Sequence, residues 1–216
     1  MSTNLVRPGV FELYSGPMCS EKTKSLIDRV HKIDFLDDVS YLFIKPECDV
    51  RDYDEQGDPC ISSRNISNTY KCAVVNEAHP SDILTLVQKI ETSQSQPFSI
   101  IAFDEIEFFH QGIYNVVTEL MKDGKNVIAS GLYYDFRGEV FGEMGKLAGI
   151  ATPHVTLTSI CEYPECNSDA MMTQRLINGQ PANYNDPIVM IEEKGNITET
   201  YEPRCFEHHI VPGRPN

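Results

Sequence analysis

The sequence predicts an α/β fold, a parallel sheet flanked by helices, with a small second unit at its C-terminal end. Three observations carry this expectation. Short apolar runs alternate with segments of helical periodicity through the first two thirds of the chain. A glycine-containing turn followed by Lys22-Thr23 stands where the first strand meets the first helix. Beyond about Thr158 the periodicity gives way to cysteines and histidines at close spacings. Repeated strand–helix units build a parallel sheet, because right-handed crossovers lay the helices against its faces.

Taken in order, "VFELYS" reads as the first strand. In "EKTKSLIDRVHKI", Leu26, Ile27, Val30 and Ile33 fall on one helical face. Asp37-Asp38 is a turn before the strand "SYLFIK". Arg51 to Asn68 is polar and rich in turn residues and reads as a long loop. "YKCAVVN" is a third strand, and Pro80 is placed to start the helix in "PSDILTLVQKIET". "FSIIAF" is a short, wholly apolar run of the buried parallel kind. Ile113, Val116, Val117, Leu120 and Met121 follow at helical spacing, ended by Gly124, and "NVIASGL" is the next strand. The expected units are 1–157, a nucleotide-binding α/β domain, 158–210, a metal-holding domain, and 211–216, a loose tail.

Bulk properties exclude several function classes. A chain of 216 residues can bury a full core. A formal net charge of −14 argues against a surface that tracks nucleic acid or an anionic membrane, so neither is expected as a partner. Any polyphosphate must be held by local groups against the overall field. No apolar run approaches a transmembrane length, and "MSTNLVRPGV" lacks the layout of a signal peptide. Seven cysteines, an odd number, fit a reducing, cytoplasmic setting better than a disulfide framework.

Three motifs carry chemistry. "GPMCSEKT", Gly16 to Thr23, follows a strand and opens a helix, as a phosphate-gripping loop does, with Gly16, Pro17, Met18, Cys19, Ser20 and Glu21 around the phosphates and backbone N–H groups donated by all of them but Pro17. Lys22 would reach the β/γ-phosphates and Thr23 would hold Mg²⁺. Glu21 stands where the usual pattern has glycine, which leaves a working loop, a relic and an ordinary turn all open on these residues alone. Asp104-Glu105 closes an apolar strand, where a carboxylate reaches Mg²⁺ and its neighbour can act as a general base. Cys161 and Cys166, with Cys205 and His208 at C-x-x-H spacing, make a four-ligand set suited to structural Zn²⁺, with His209 a rival for His208. Cys19, Cys48, Cys60 and Cys72 lack ligand spacing.

Together these residues resemble the type II (cytosolic-type) thymidine kinases from about Val10 to His208. "GPMCSEKT" matches the family's G-P-M-F-S-G-K-[ST], "KPECDVRDY" its KPxxDxRY, and "FDEIEFF" its IDEAQFF. "GLYYDFRGEVFG", "TLTSICEYPECNSDAMMTQR" and "YEPRCFEH" match its later segments in the same order. The resemblance implies a RecA-like P-loop core with a zinc-tethered lasso, a homotetramer, thymidine and ATP as substrates, and dTTP as a feedback ligand. It implies that Glu105 is the general base, that Asp104 and Thr23 serve Mg²⁺, and that Lys22 and Arg51, the latter beside Asp49, neutralise the transferring phosphoryl. It further implies that Met18, Phe108, Leu132 and Phe136 wall the thymine, that Thr173 and the backbone near Val189, Met190 and Ile191 bond its edge, and that Tyr201 closes the site. For Phe108, Leu132 and Phe136 the competing reading is core packing.

The chain departs from the family's pattern at Glu21 (for Gly), Tyr133 (for Asp), Glu107 (for Gln), "ISSR" after Arg51, and Met172 at a position often aromatic. A carboxylate a few ångströms from a triphosphate costs about a few kcal/mol at an effective dielectric near 20, unless it points to solvent or pairs with a cation. The alternative to an active kinase is therefore a degenerate member that binds nucleoside or dTTP with weak or no catalysis.

Overall fold

The computed structural model describes residues 5–36, 38–63, 66–188 and 198–215. The elements run β1 (Phe11–Ser15), α1 (Lys22–His31), β2 (Tyr41–Pro46), β3 (Cys60–Ser63), β4 (Ile66–Val75), α2 (Asp82–Gln94), β5 (Ile100–Phe103), a 3-10 turn (Ile106–Phe108), α3 (Ile113–Lys122), β6 (Asn126–Gly131), α4 (Met144–Ile150) and β7 (His154–Thr156). They continue with β8 (Ser159–Ile160), β9 (Asp169–Ala170), β10 (Met172–Ile177), β11 (Gln180–Pro181) and β12 (Glu199–Arg204).

Two compact units result. One holds the chain up to Ser15 with Glu21–Gly131 and Gly142–Val155. The other holds Gly16–Ser20, Leu132–Phe141 and the chain from Thr156 on. In the first, seven strands form one sheet in the order β3-β4-β2-β5-β6-β1-β7. β4, β2, β5, β6 and β1 are mutually parallel, and β3 pairs antiparallel to β4. This is the sheet flanked by helices that the strand–helix alternation predicts. The face of α1 formed by Leu26, Ile27 and Val30, with Ile33 just past the helix, packs on Phe43, Ile61, Ile100, Ala102 and Ile128 from four strands. β5 and β6 are buried along their whole length, so neither shows alternation; β5 is wholly apolar, while β6 also buries Asn126 and Ser130.

Two expectations need correction. Arg51 to Asn68 is not one long loop: β3 and the start of β4 lie within it. Cys60 and Ile61 are buried while the connecting residues before them are polar, and a four-residue strand is too short to override that composition. The tail 211–216 is also not loose over its described residues, which follow a firmly held Ile210. The Ile210 N–H donates to Gln174 Oε1 (2.8 Å) and the Tyr184 N–H to the Pro212 carbonyl (2.8 Å).

The second unit contains β10 paired antiparallel with β11 and β12, and β8 paired with β9. β10 lacks a readable period because Met172, Thr173, Gln174 and Arg175 are all buried, so polar and apolar residues share both faces. The Arg175 guanidinium sits 5.1 Å from the Phe136 ring and pairs with Glu199 (2.6 Å).

One buried ion pair ties α1 to the sheet. Glu12 of β1, 3% exposed in its side chain, receives two parallel hydrogen bonds from Arg29 at 2.8 Å, and the Asn126 amide adds a third at 3.2 Å. Removing one partner strands the other charge. Glu12→Ala is expected to destabilise the protein by about 3 kcal/mol in urea denaturation; a loss under about 1 kcal/mol would contradict this.

Candidate active site

β1 leads into the loop Gly16–Ser20, which the following helix α1 receives through Glu21 and Lys22. Gly16 is needed on steric grounds: a Cβ there would lie 2.5 Å from the Leu157 carbonyl oxygen and 2.6 Å from Ser20 Oγ. The Ser20 hydroxyl donates to the Pro17 carbonyl (2.8 Å), and the Met18 N–H donates to Thr173 Oγ1 (3.0 Å). Cys19 (φ 60°) and Glu21 (φ 61°, ψ 30°) are both left-handed. That conformation costs a residue with a Cβ about 1 kcal/mol, which explains why glycine suits position 21. The Glu21 side chain is exposed, and its charge is felt by Lys24, whose ammonium bonds Asp28 (2.8 Å).

In the first unit, Lys22 and Thr23 open α1, and both Lys22 and the acidic pair after β5 are buried. The Thr23 hydroxyl stands 3.1 Å from each carboxylate oxygen of Asp104, and Ser130 donates a short hydrogen bond to the same group. Register explains Ser130: Phe103 pairs with Ala129, so the next residues face each other. Sequence reading missed Ser130 because a serine ending a strand gives no signal until that register is known. Burial, then the charge of Glu105, pushes Asp104 up to about 7.

Glu105 is left-handed (φ 51°, ψ 44°), which turns it off the strand axis. Its carboxylate accepts a 2.5 Å ion pair from Arg51, whose Nε reaches Asp49 at 2.6 Å. Burial opposes ionisation of Glu105, but Arg51 and then Lys22 outweigh it and hold the carboxyl below its ordinary value. Asp49 is buried too, and Arg51 again outweighs that burial. The two neighbouring carboxylates are thus driven apart, one ready to accept a proton. Asp104 with the Thr23 hydroxyl is a hard oxygen pair of the kind Mg²⁺ takes, and a divalent cation would offset the charge that burial disfavours. Glu107 is buried, and a Cβ on Gly131 would collide with its carboxylate. Phe108 lies in the 3-10 turn, half-buried.

In the second unit, Leu132, Phe136 and Thr173 are buried, and Tyr201 is 38% exposed with its hydroxyl on Glu199 (2.6 Å). Val189, Met190 and Ile191 lie outside the described residues.

Cys161, Cys166, Cys205 and His208 present ligand atoms within 4.8 Å of one another, the one such group among the described residues. Cys205 Sγ and Cys161 Sγ stand 3.3 and 3.8 Å from His208 Nδ1, and Cys166 Sγ is 4.0 Å from Cys205 Sγ. A tetrahedral ion with metal–sulfur bonds of about 2.3 Å sets its ligands roughly 3.5–3.8 Å apart, so the group fits. Burial works against the Cys161 thiolate, but the backbone N–H groups of Cys205 and Tyr163, then His208 and Cys166, bring it down to about 6. Burial and the neighbouring thiols push Cys205 the other way, an imbalance that a cation held by these four residues would relieve. Tyr163 stacks on His208 at 3.9 Å and fixes the ring. His209 is no rival ligand: its Nε2 bonds the Phe136 carbonyl at 2.9 Å.

A strand–loop–helix opening with Lys22-Thr23 and an acidic pair at the end of a parallel strand define an α/β protein of the P-loop-like class. The sequence profile of the thymidine kinase family matches residues 9–209. The chain is 35% identical over 207 residues to the thymidine kinase of Mycoplasmoides gallisepticum, covering 96% of this chain and 84% of that one. It is 38% identical over 210 residues to the thymidine kinase of two Ureaplasma parvum serovar 3 strains, covering 96% and 85%. The chain belongs to the thymidine kinase family. Among the described residues, no helix is long and apolar enough to cross a membrane.

Purified protein is expected to carry one metal ion per chain by elemental analysis. Cys205→Ala should lose it and lower the thermal midpoint by on the order of 10 °C. A metal-free variant that melts like the native protein would contradict a structural site.

Proposed function

We propose that the protein transfers the γ-phosphate of ATP to the 5′-hydroxyl of thymidine, or deoxyuridine, in nucleotide salvage. The observation that carries this reading is the Arg51–Glu105 ion pair beside Lys22, which keeps one buried carboxylate ionised next to another that burial pushes toward neutrality. Glu105 accepts the hydroxyl proton as the oxygen attacks phosphorus. Lys22 and Arg51 offset the negative charge that spreads over the transferring phosphoryl oxygens, and the loop from Gly16 holds the remaining phosphates through its backbone. Mg²⁺, held by Thr23 and Asp104, supplies charge neutralisation on the phosphates when bound. Phosphoryl transfer needs such positioning far more than covalent chemistry.

By family resemblance, Met18, Phe108, Leu132 and Phe136 contact the thymine, Thr173 bonds its edge, and Tyr201 covers it. The metal is Zn²⁺, from the Cys₃His donor set. By family resemblance the protein is a cytoplasmic homotetramer that accepts dTTP as a feedback ligand.

One observation favours a second reading, a binding protein with little turnover: Glu21 places a negative charge and a strained backbone beside the phosphates. Its exposure and the nearby Lys24 favour the active reading, since a solvated carboxylate repels far less than a buried one.

The test is formation of labelled thymidine monophosphate from thymidine and Mg·ATP, with Glu105→Gln and Glu21→Gly run beside the native protein. The native chain should form product, Glu105→Gln should lose about 10²–10⁴-fold, and Glu21→Gly should gain no more than about tenfold. No product from a native protein that thymidine or dTTP stabilises thermally would favour the binding reading. Recovery in Glu21→Gly would then assign the loss to that residue.

A further inference from the structure

Adjacent histidines divide two tasks. His208 presents Nδ1 to the cysteines of the metal group, while His209 turns its ring the other way and meets the main chain of Phe136 at 2.9 Å. We propose that His209 is a positioning residue for the nucleoside pocket, joining the metal site to the aromatic wall over the base through a single peptide link. This rests on the reading of Phe136 and Thr173 as nucleoside contacts.

A carbonyl oxygen only accepts, so Nε2 carries the hydrogen and donates to Phe136. The turn after Phe136 is shaped to admit the ring. Gly138 is left-handed (φ +77°), and a Cβ there would lie 3.4 Å from His209 Cε1 and 2.8 Å from the Met172 methyl. The next residue is gripped as well. Ile210 donates its N–H to Gln174 Oε1 (2.8 Å), and its carbonyl accepts from Gln174 Nε2 (2.9 Å).

Gln174 is 2% exposed and follows Thr173, whose hydroxyl oxygen receives the Met18 N–H. Residues 209 and 210 therefore fix the backbone on both Phe136 and the β10 strand that carries Thr173. Other side chains add support around Phe136, with the Arg175 guanidinium on its ring. Among the described residues, what His209 alone supplies is a hold on the Phe136 main chain from a segment whose preceding residue belongs to the metal group.

The experiment uses the full-length, metal-loaded protein and compares His209→Phe, which keeps a ring without a donor, with His209→Gln, whose amide can reach the same carbonyl. Thymidine affinity is read by calorimetry, KM for thymidine and for ATP and kcat by turnover, and metal content by elemental analysis. His209→Phe should weaken thymidine binding and raise its KM roughly three- to tenfold. Its kcat and ATP KM should stay within about twofold and its metal content at the native level, and His209→Gln should recover most of the loss. Native thymidine affinity in His209→Phe would overturn the proposal while leaving the pocket reading intact. So would metal loss, or an equal weakening toward ATP, since either places the effect in the fold at large. If the native protein itself binds no thymidine, the pocket reading falls and this proposal with it.

Discussion

Two adjacent carboxylates, Asp104 and Glu105, are carried below the surface at the end of an apolar strand, and much of the first unit answers that cost. Neighbouring charges out of water cannot both persist without compensation. Thr23 and Ser130 give Asp104 hydroxyl partners, which still leave it pushed toward neutrality by burial. Glu105 turns into a left-handed conformation and meets Arg51. Arg51 is in turn held by Asp49, a chain of alternating charge that runs from the loop after β2 to the end of β5. The parallel order that sets β2 beside β5 and β5 beside β6 is what brings these three strand ends together.

Backbone strain has the same location. Glu21 and Glu105 both adopt a conformation that favours glycine, and each directs a residue at the C-terminal edge of the sheet. Strain of this kind persists only where surrounding contacts over-determine the chain. At position 21 the family's glycine would relieve it. The exposed carboxylate near Lys24 shows how a charged residue can stand there without its charge being buried.

Legibility in the sequence followed physical lines. The face of α1 was readable because Leu26, Ile27 and Val30, continued by Ile33 just past the helix, repeat at helical spacing and pack on apolar side chains of the sheet. Asp104-Glu105 was readable because an apolar run ends abruptly in two acids. β10 was not, since it buries an arginine and a glutamine beside its apolar residues and so shows no alternation. β3 was hidden by the polar residues around it, and α4, seven residues with two glycines, gave little period. The four candidate metal ligands were legible from spacing, whereas the choice between His208 and His209 depended on which way each ring faces. Ser130 needed the strand register, which no local pattern encodes.

The most direct test of this account is carboxyl-carbon NMR titration of Glu105 in the native protein and in Arg51→Met. Its folded value is depressed, so the stability it contributes is present above the ordinary glutamate value of about 4.3 and fades as pH falls through the lower folded one. The native residue should therefore titrate below about 4.3, and Arg51→Met should raise it as burial goes less opposed. An unchanged titration in Arg51→Met, or a native value above the ordinary one, would contradict the central role given to the Arg51–Glu105 pair.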